Sequence, residues 1–144
     1  MIRNKIQQLF DAIGELVPVY MQNPEDSVLS NGNVAVCVID EAGNVYGKMY
    51  GTDKLESRRI YKIAWTKASQ VWITDIATNE YERMVFNNEI DESIFGIETP
   101  DLIGWLGGQP VVLKDGTKLA IGFSGFRGTV DLEIVVKALK SLDL

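Results

Sequence analysis

A chain of 144 residues with a hydrophobic fraction of 46% fits one domain of ordinary size and can bury a full core. Its formal net charge of -6 and pI near 4.6 argue against nucleic acid and anionic membrane surfaces, which select clustered Lys and Arg. It has no histidine and one cysteine, Cys37. That excludes an intrachain disulfide, Ser-His-Asp and Cys-His nucleophile systems, imidazole-ligated zinc, and haem held by a histidine of this chain.

Mean hydropathy is near zero, and no apolar run approaches the roughly 20 residues of a membrane-spanning helix. No apolar signal segment follows Met1-Ile2-Arg3-Asn4-Lys5, so a cytoplasmic location is expected.

In chain order, Ile2, Ile6, Leu9, Ile13, Leu16 and Tyr20 recur at spacings of three and four and predict a helix to about Met21, with Pro18 placed to stop or bend it. Residues 22–26 read as a polar break. Val34 to Ile39 is a continuous β-branched run bounded by Asn31-Gly32-Asn33 and Asp40, hence a buried strand. Glu41-Ala42-Gly43-Asn44 is turn chemistry, and Val45 to Tyr50 returns as its hairpin partner. Asp53 followed by Glu56 has the spacing of a helix capping box. Ile60, Ile63, Ala64, Lys67, Ala68, Val71 and Trp72 continue that helix. Residues 75–101 lack a clear period, and Tyr81 to Phe86 reads equally as strand or helix. Pro100-Asp101 marks a break. Gln109 to Leu113 is a short strand, Asp115-Gly116 a hairpin turn, and Lys118 to Ser124 the returning strand. Gly125-Phe126-Arg127-Gly128 is a loop. Val130, Ile134, Val135, Ala138, Leu139 and Leu142 form a last amphipathic helix. Two hairpins with helices at both ends imply an antiparallel sheet covered by helices.

Four stretches carry a resemblance to a known family. Val36 to Asn44 resembles a hydrophobic strand ending in V-x-D-x-x-G. Lys67-Ala68 resembles a KA pair late in the second predicted helix. Gly107-Gly108-Gln109-Pro110-Val111 resembles GG-x-P-[IV] at the start of a strand. Ala120 to Gly125, followed by Asp131, resembles A-I-G-V-S-G…D. In this order, over about residues 5–142, they resemble the GlcG-like family, which includes haem-binding HbpS-like proteins and PduO C-terminal-type domains. The match is poorest over residues 73–103. The resemblance implies a single domain over residues 1–144 of mixed α/β class (α+β) and profilin-like fold: a five-stranded antiparallel sheet with helices on both faces. It also implies homo-oligomers, commonly built from dimers, and ligands such as haem, corrinoids and other small molecules. The absence of histidine excludes histidine-ligated haem as an inherited cofactor here.

Candidate ligand-binding residues follow, each with a plainer alternative. Ser124, Gly125 and Arg127 lie in a glycine-rich loop before a helix. Amides at a helix start and a guanidinium both attract an anionic group; the plainer alternative is a turn with an exposed arginine. The spacing of Gly122, Gly125 and Gly128 is not a dinucleotide fingerprint. Gly107 and Gly108 either line the same pocket or permit a tight turn before Pro110. Lys67, on the apolar side of its helix, either binds an anion or acts as a base, or else packs its stem and extends its ammonium to water. Asp131 is an alternative acid/base group. Trp65 and Trp72, with Tyr61, form either an aromatic wall for a flat macrocycle or core and interface; Trp105 is ambiguous in the same way. Cys37 reads as a buried, inert thiol. The carboxylates Asp40, Glu41, Asp91, Glu92, Glu98 and Asp101 lack metal-loop spacing, and no metal is assigned. The sequence thus favours a binding or accessory protein with an anionic group expected at residues 124–128. A hydroxy-acid enzyme using Lys67 or Asp131, and an oligomeric assembly module, are the alternatives.

Overall fold

The computed structural model describes residues 1–96 and 104–144. Pro100, Asp101 and Glu98 lie outside the described residues. The elements are α1 (Ile2–Tyr20), α2 (Pro24–Ser30), β1 (Val34–Asp40), β2 (Val45–Tyr50), α3 (Lys54–Thr74), α4 (Thr78–Phe86), a 3-10 turn (Glu92–Phe95), β3 (Gly108–Val112), β4 (Lys118–Ser124) and α5 (Gly128–Ser141).

The two hairpins join into one antiparallel sheet of order β2-β1-β4-β3, because β1 pairs with β4. This corrects the expected strand count: among the described residues the sheet has four strands, not five. The ambiguous stretch ending at Phe86 is helical, and α4 begins directly after α3, so it adds no strand. The helix α1 runs past Pro18 to Tyr20.

Helices cover both faces of the sheet. Val34, Val36 and Val38 of β1 and Leu119, Ile121 and Phe123 of β4 pack against α1 and α5. The alternate residues Ala35, Cys37, Ile39 and Ala120 face Ile60, Ala64, Ala68 and Val71 of α3. Both faces of β1 are therefore apolar, which is why its sequence is a continuous run rather than an alternation. Each such fully buried Val, Leu or Ile contributes about 1.5–3 kcal/mol.

One rung of the sheet reads Gly47, Cys37, Gly122, Gly108 across all four strands. With no side chain larger than a thiol, it forms a trough for α3. A Cβ on Gly122 would stand 2.6 Å from the Ala68 amide nitrogen and closer still to the Ala64 carbonyl. The ring of Tyr61 lies over Gly47 in the same way, with its hydroxyl donating to Cys37 Sγ at 3.6 Å. Burial pushes the Cys37 thiol up to about 11, so it is held protonated and inert.

The start of α3 is fixed by Asp53, whose side chain accepts from the Glu56 amide at 3.1 Å. Asn33 Oδ1 accepts from the Asp53 amide and the Ser57 hydroxyl, each at 3.3 Å, tying α3 to the head of β1. At its other end Trp72 Nε1 donates to the Asp40 carbonyl at 2.9 Å. Asp40 organises the first hairpin turn. Burial alone would raise its carboxyl, but hydrogen bonds from Asn44, Tyr46 and the Ala42 amide outweigh it and hold the group below the usual range.

Candidate functional site

The chemistry-bearing groups meet where β4 passes into α5. Seated in the glycine trough, α3 carries Lys67 past Gly122 and Gly108 to the end of β4, where Lys67 Nζ donates to the Phe123 carbonyl at 2.8 Å and to Asp131 Oδ2 at 3.3 Å. The other carboxylate oxygen of Asp131 accepts from the Phe126 amide at 2.9 Å. Lys67 is 2% exposed and Asp131 3%. The lysine stem packs, as its position on the apolar side of α3 requires, but the ammonium ends on a carboxylate rather than in water.

Removing both charges from water opposes ionisation of each. Burial pulls the Lys67 ammonium down, against the attraction of Asp131. Burial pushes the Asp131 carboxyl up to about 7, against the Lys67 charge and the Phe126 amide. The charge on Asp26 adds to the rise.

The linkage has a definite sign. A carboxyl held near 7 in the folded chain and near 4 in the unfolded chain binds its proton more tightly when folded. Its contribution to stability is therefore full below about pH 4 and lost as pH rises through 7. Chemical denaturation at pH 4 and pH 7 is expected to show wild type losing stability relative to Asp131→Asn as pH rises. Parallel pH profiles for the two proteins would contradict the buried-pair assignment.

A cavity of about 320 Å³ opens beside this pair. Lys67, Asp131, Ser124, Gly125 and Arg127 all line it, so five of the seven sequence candidates converge. Its apolar walls come from Ile60 and Ile63 of α3, Phe126, and Trp105 with Leu106. The segment carrying Trp105 is held by Thr78 at the head of α4, whose hydroxyl donates to the Trp105 carbonyl at 2.5 Å and accepts from the Gly108 amide at 3.3 Å.

The two remaining candidates have structural duties beside the cavity. Gly108 belongs to the trough under α3. Gly107 has φ +122°, and a Cβ there would stand 2.7 Å from Lys67 Nζ, so only glycine leaves room for the ammonium. Gly125, at φ +124°, brings the loop against Val34 and the Asn33 carbonyl.

Arg127 has a partner that sequence reasoning missed. Its Nε and Nη2 donate to Asp26 Oδ1 and Oδ2 at 3.1 and 3.0 Å, and its amide donates to Oδ1 at 3.0 Å. Nη1 lies 3.4 Å from Glu25. Asp26 is 0% exposed. Burial alone would raise its carboxyl, but the hydrogen bonds and charge of Arg127 outweigh burial and hold it below the usual range. Arg127 therefore clamps α2 onto the loop between β4 and α5. The signal for α2 was present in Asn23-Pro24-Glu25: an N-cap whose side chain accepts from the Glu25 amide, a proline at the first helical position, and acidic residues in the first turn. No side chain caps the first turn of α5.

Two much larger recesses, and one of about 330 Å³ at the Asp75 end, lie elsewhere along α3. One of about 500 Å³ is walled by Trp65, Trp72, Ile73 and Val45, and one of about 640 Å³ by Met49, Tyr61, Lys54, Arg58 and Lys62. Among the described residues no group of three or more His, Cys, Asp or Glu could hold a metal ion, and no helix is long and apolar enough to cross a membrane.

No family model and no curated protein matches the sequence. Among solved structures the chain is similar to Klebsiella pneumoniae protein ORFY, described by the family model DUF336, with 20% identity over 94% of this chain and 85% of that one and a TM-score of 0.64. It is similar to PduOC in its haem complex, with 18% identity over 96% of this chain and 91% of that one and a TM-score of 0.66. It is also similar to HbpS, with 19% identity over 94% and 87% and a TM-score of 0.56. The resemblance read from the sequence therefore holds at the level of fold: this chain has the GlcG-like fold of ORFY, PduOC and HbpS.

Proposed function

We propose that this chain binds a small molecule in the 320 Å³ cavity, with a carboxylate or phosphate of the ligand at the 124–128 loop. The observation that carries this reading is the Lys67–Asp131 pair, a buried amine and a buried carboxyl on the wall of a cavity whose remaining walls are largely apolar. The uncapped start of α5 and the rim residues Arg59, itself paired with Glu56, and Arg127 support an anionic group there. Arg127 meets it with what its pairing to Asp26 leaves over, so Lys67 carries more of the recognition than Arg127.

One structure with this fold is a haem complex, which supports a small-molecule ligand. An axially ligated haem does not fit the Lys67 cavity or the tryptophan recess. Among the described residues the cavity and the tryptophan recess are lined by no His, Cys, Met or Tyr, and Cys37 is buried beneath α3.

The reading takes residues 1–144 as a single cytoplasmic domain with a profilin-like arrangement. It takes the chain as a homo-oligomer, supported by Trp65 and Trp72, each 48% exposed beside exposed Val45 and Ile73. Exposed aromatic area of this kind is enriched at protein interfaces.

Native mass spectrometry and thermal denaturation of the same preparation test both halves. The expected outcome is a mass above that of one chain, and a melting temperature that rises with the concentration of a small carboxylate and fails to rise in Lys67→Met. A monomer would overturn the oligomer. The absence of any shift with carboxylates or phosphates would overturn the anion site.

A further inference from the structure

We propose that Lys67 condenses reversibly with the carbonyl group of a small aldehyde or 2-oxo acid admitted to the cavity, with Asp131 handling the proton. The inference rests on the binding reading above and adds a covalent step to it.

Three features of the site point to this chemistry. First, Lys67 Nζ is a primary amine on the wall of a cavity, with two acceptors, Phe123 O and Asp131 Oδ2, for its three donor positions. The bare backbone of Gly107 lets the amine lie there, where a Cβ would stand 2.7 Å from it. Second, a carboxyl stands 3.3 Å from the nitrogen and is held in place through its other oxygen by the Phe126 amide. Third, the walls contributed by Ile60, Ile63, Leu106 and Phe126 are apolar, so they oppose the charged form of each partner and shield an imine from water. Lys5, Lys114 and Lys118 also meet carboxylates, but at solvent-exposed sites; among the described residues only Lys67 pairs with a carboxyl while buried. The directions of both titrations agree with this picture, since burial lowers the amine and raises the acid.

The step balances. Proton transfer from the ammonium to the Asp131 carboxylate gives neutral amine and neutral acid. The amine lone pair attacks the carbonyl carbon, forming the C–N bond. The proton released from nitrogen moves to the former carbonyl oxygen, giving a carbinolamine. Asp131 then protonates the hydroxyl, which leaves as water while the nitrogen lone pair closes the C=N bond. The products are an iminium on Lys67, the Asp131 carboxylate beside it, and one water. No oxidant or reductant takes part. The carboxylate of a 2-oxo acid would face Arg59 and Arg127, which line the same cavity.

The test is reductive trapping. Wild-type protein is incubated at neutral pH with butanal, or with 2-oxobutanoate, and sodium cyanoborohydride, and the product is mapped by peptide mass spectrometry. Lys67 is expected to be the most heavily labelled lysine, and Lys67→Arg to lose that adduct while keeping its circular dichroism. Labelling spread over the exposed lysines with Lys67 unmodified in the folded protein overturns the proposal. That map decides the matter even if the variant fails to fold. Thermal denaturation with 2-oxobutanoate and no reductant separates the two ideas. A shift without a Lys67 adduct leaves the binding reading standing and removes the condensation; neither shift nor adduct removes both.

Discussion

Replacing Gly122 by alanine is expected to destabilise the chain by about 3 kcal/mol or more, at the upper end of overpacking costs. The new Cβ meets main-chain atoms of α3, the Ala64 carbonyl and the Ala68 amide, and backbone cannot rotate out of the way as a side chain can. The helix α3 must lift from the sheet, which weakens its packing on β1 and β4 and draws Lys67 away from Asp131. Gly116 provides the control: nothing lies within 4 Å of a Cβ there, and only its positive φ of 89° opposes the change. Alanine at Gly116 is expected to cost about 1 kcal/mol. Urea denaturation of the two variants measures the difference. A Gly122→Ala protein as stable as Gly116→Ala would mean that α3 is not seated in the trough.

Arg127→Ala is expected to be nearly as damaging, at about 3 kcal/mol. The substitution leaves Asp26 buried with its charge opposed, among the described residues, only by the residue 127 amide. Removing one partner of a buried pair usually costs 3–5 kcal/mol, and the guanidinium is 39% exposed, which places this case at the low end. The pH dependence has the opposite sign to that of Asp131. Because Arg127 holds the Asp26 carboxyl below its ordinary value, the stabilisation is fully present above about pH 4 and is lost as pH falls through the folded-state value. Arg127→Lys keeps the charge but not the two-point geometry, so it is expected to fall between wild type and alanine. Guanidinium denaturation at pH 7 reads all three. A loss below about 1 kcal/mol for Arg127→Ala, the range of an exposed ion pair, would show that the α2 clamp is a surface contact.

What the sequence disclosed follows from what is local. The buried run of β1, the turns at Gly43 and Gly116, the Asp53 cap and the periodic faces of α1, α3 and α5 are set by residues within a few positions of one another, and each was legible. The seven residues of α2 are too short to display a period, and their polar composition reads as a break. The fifth strand came from the resemblance rather than from any strand-like run in this chain, and the described residues contain four.

The candidate site was legible residue by residue and not as an arrangement. Lys67 was noticeable as a lysine on an apolar face and Asp131 as the acid after the last strand, but 64 positions separate them, and only the order β2-β1-β4-β3 with α3 across it brings them to 3.3 Å. The Arg127–Asp26 pair spans 101 positions and joins an arginine that was noticed to an aspartate that was not. The glycines of the 107–108 and 122–125 motifs serve mainly the close approach of α3 and of the loop, and through that packing they fix where the lysine ends.

The central claim is that the cavity beside Lys67 and Asp131 is the ligand site. The most direct measurement is a crystal structure of the protein soaked with 2-oxobutanoate. Electron density for the acid is expected inside the cavity, with Lys67 Nζ in hydrogen-bonding or covalent contact. Density confined to the recess between Trp65 and Trp72, with the Lys67 cavity empty at saturating ligand, would contradict it.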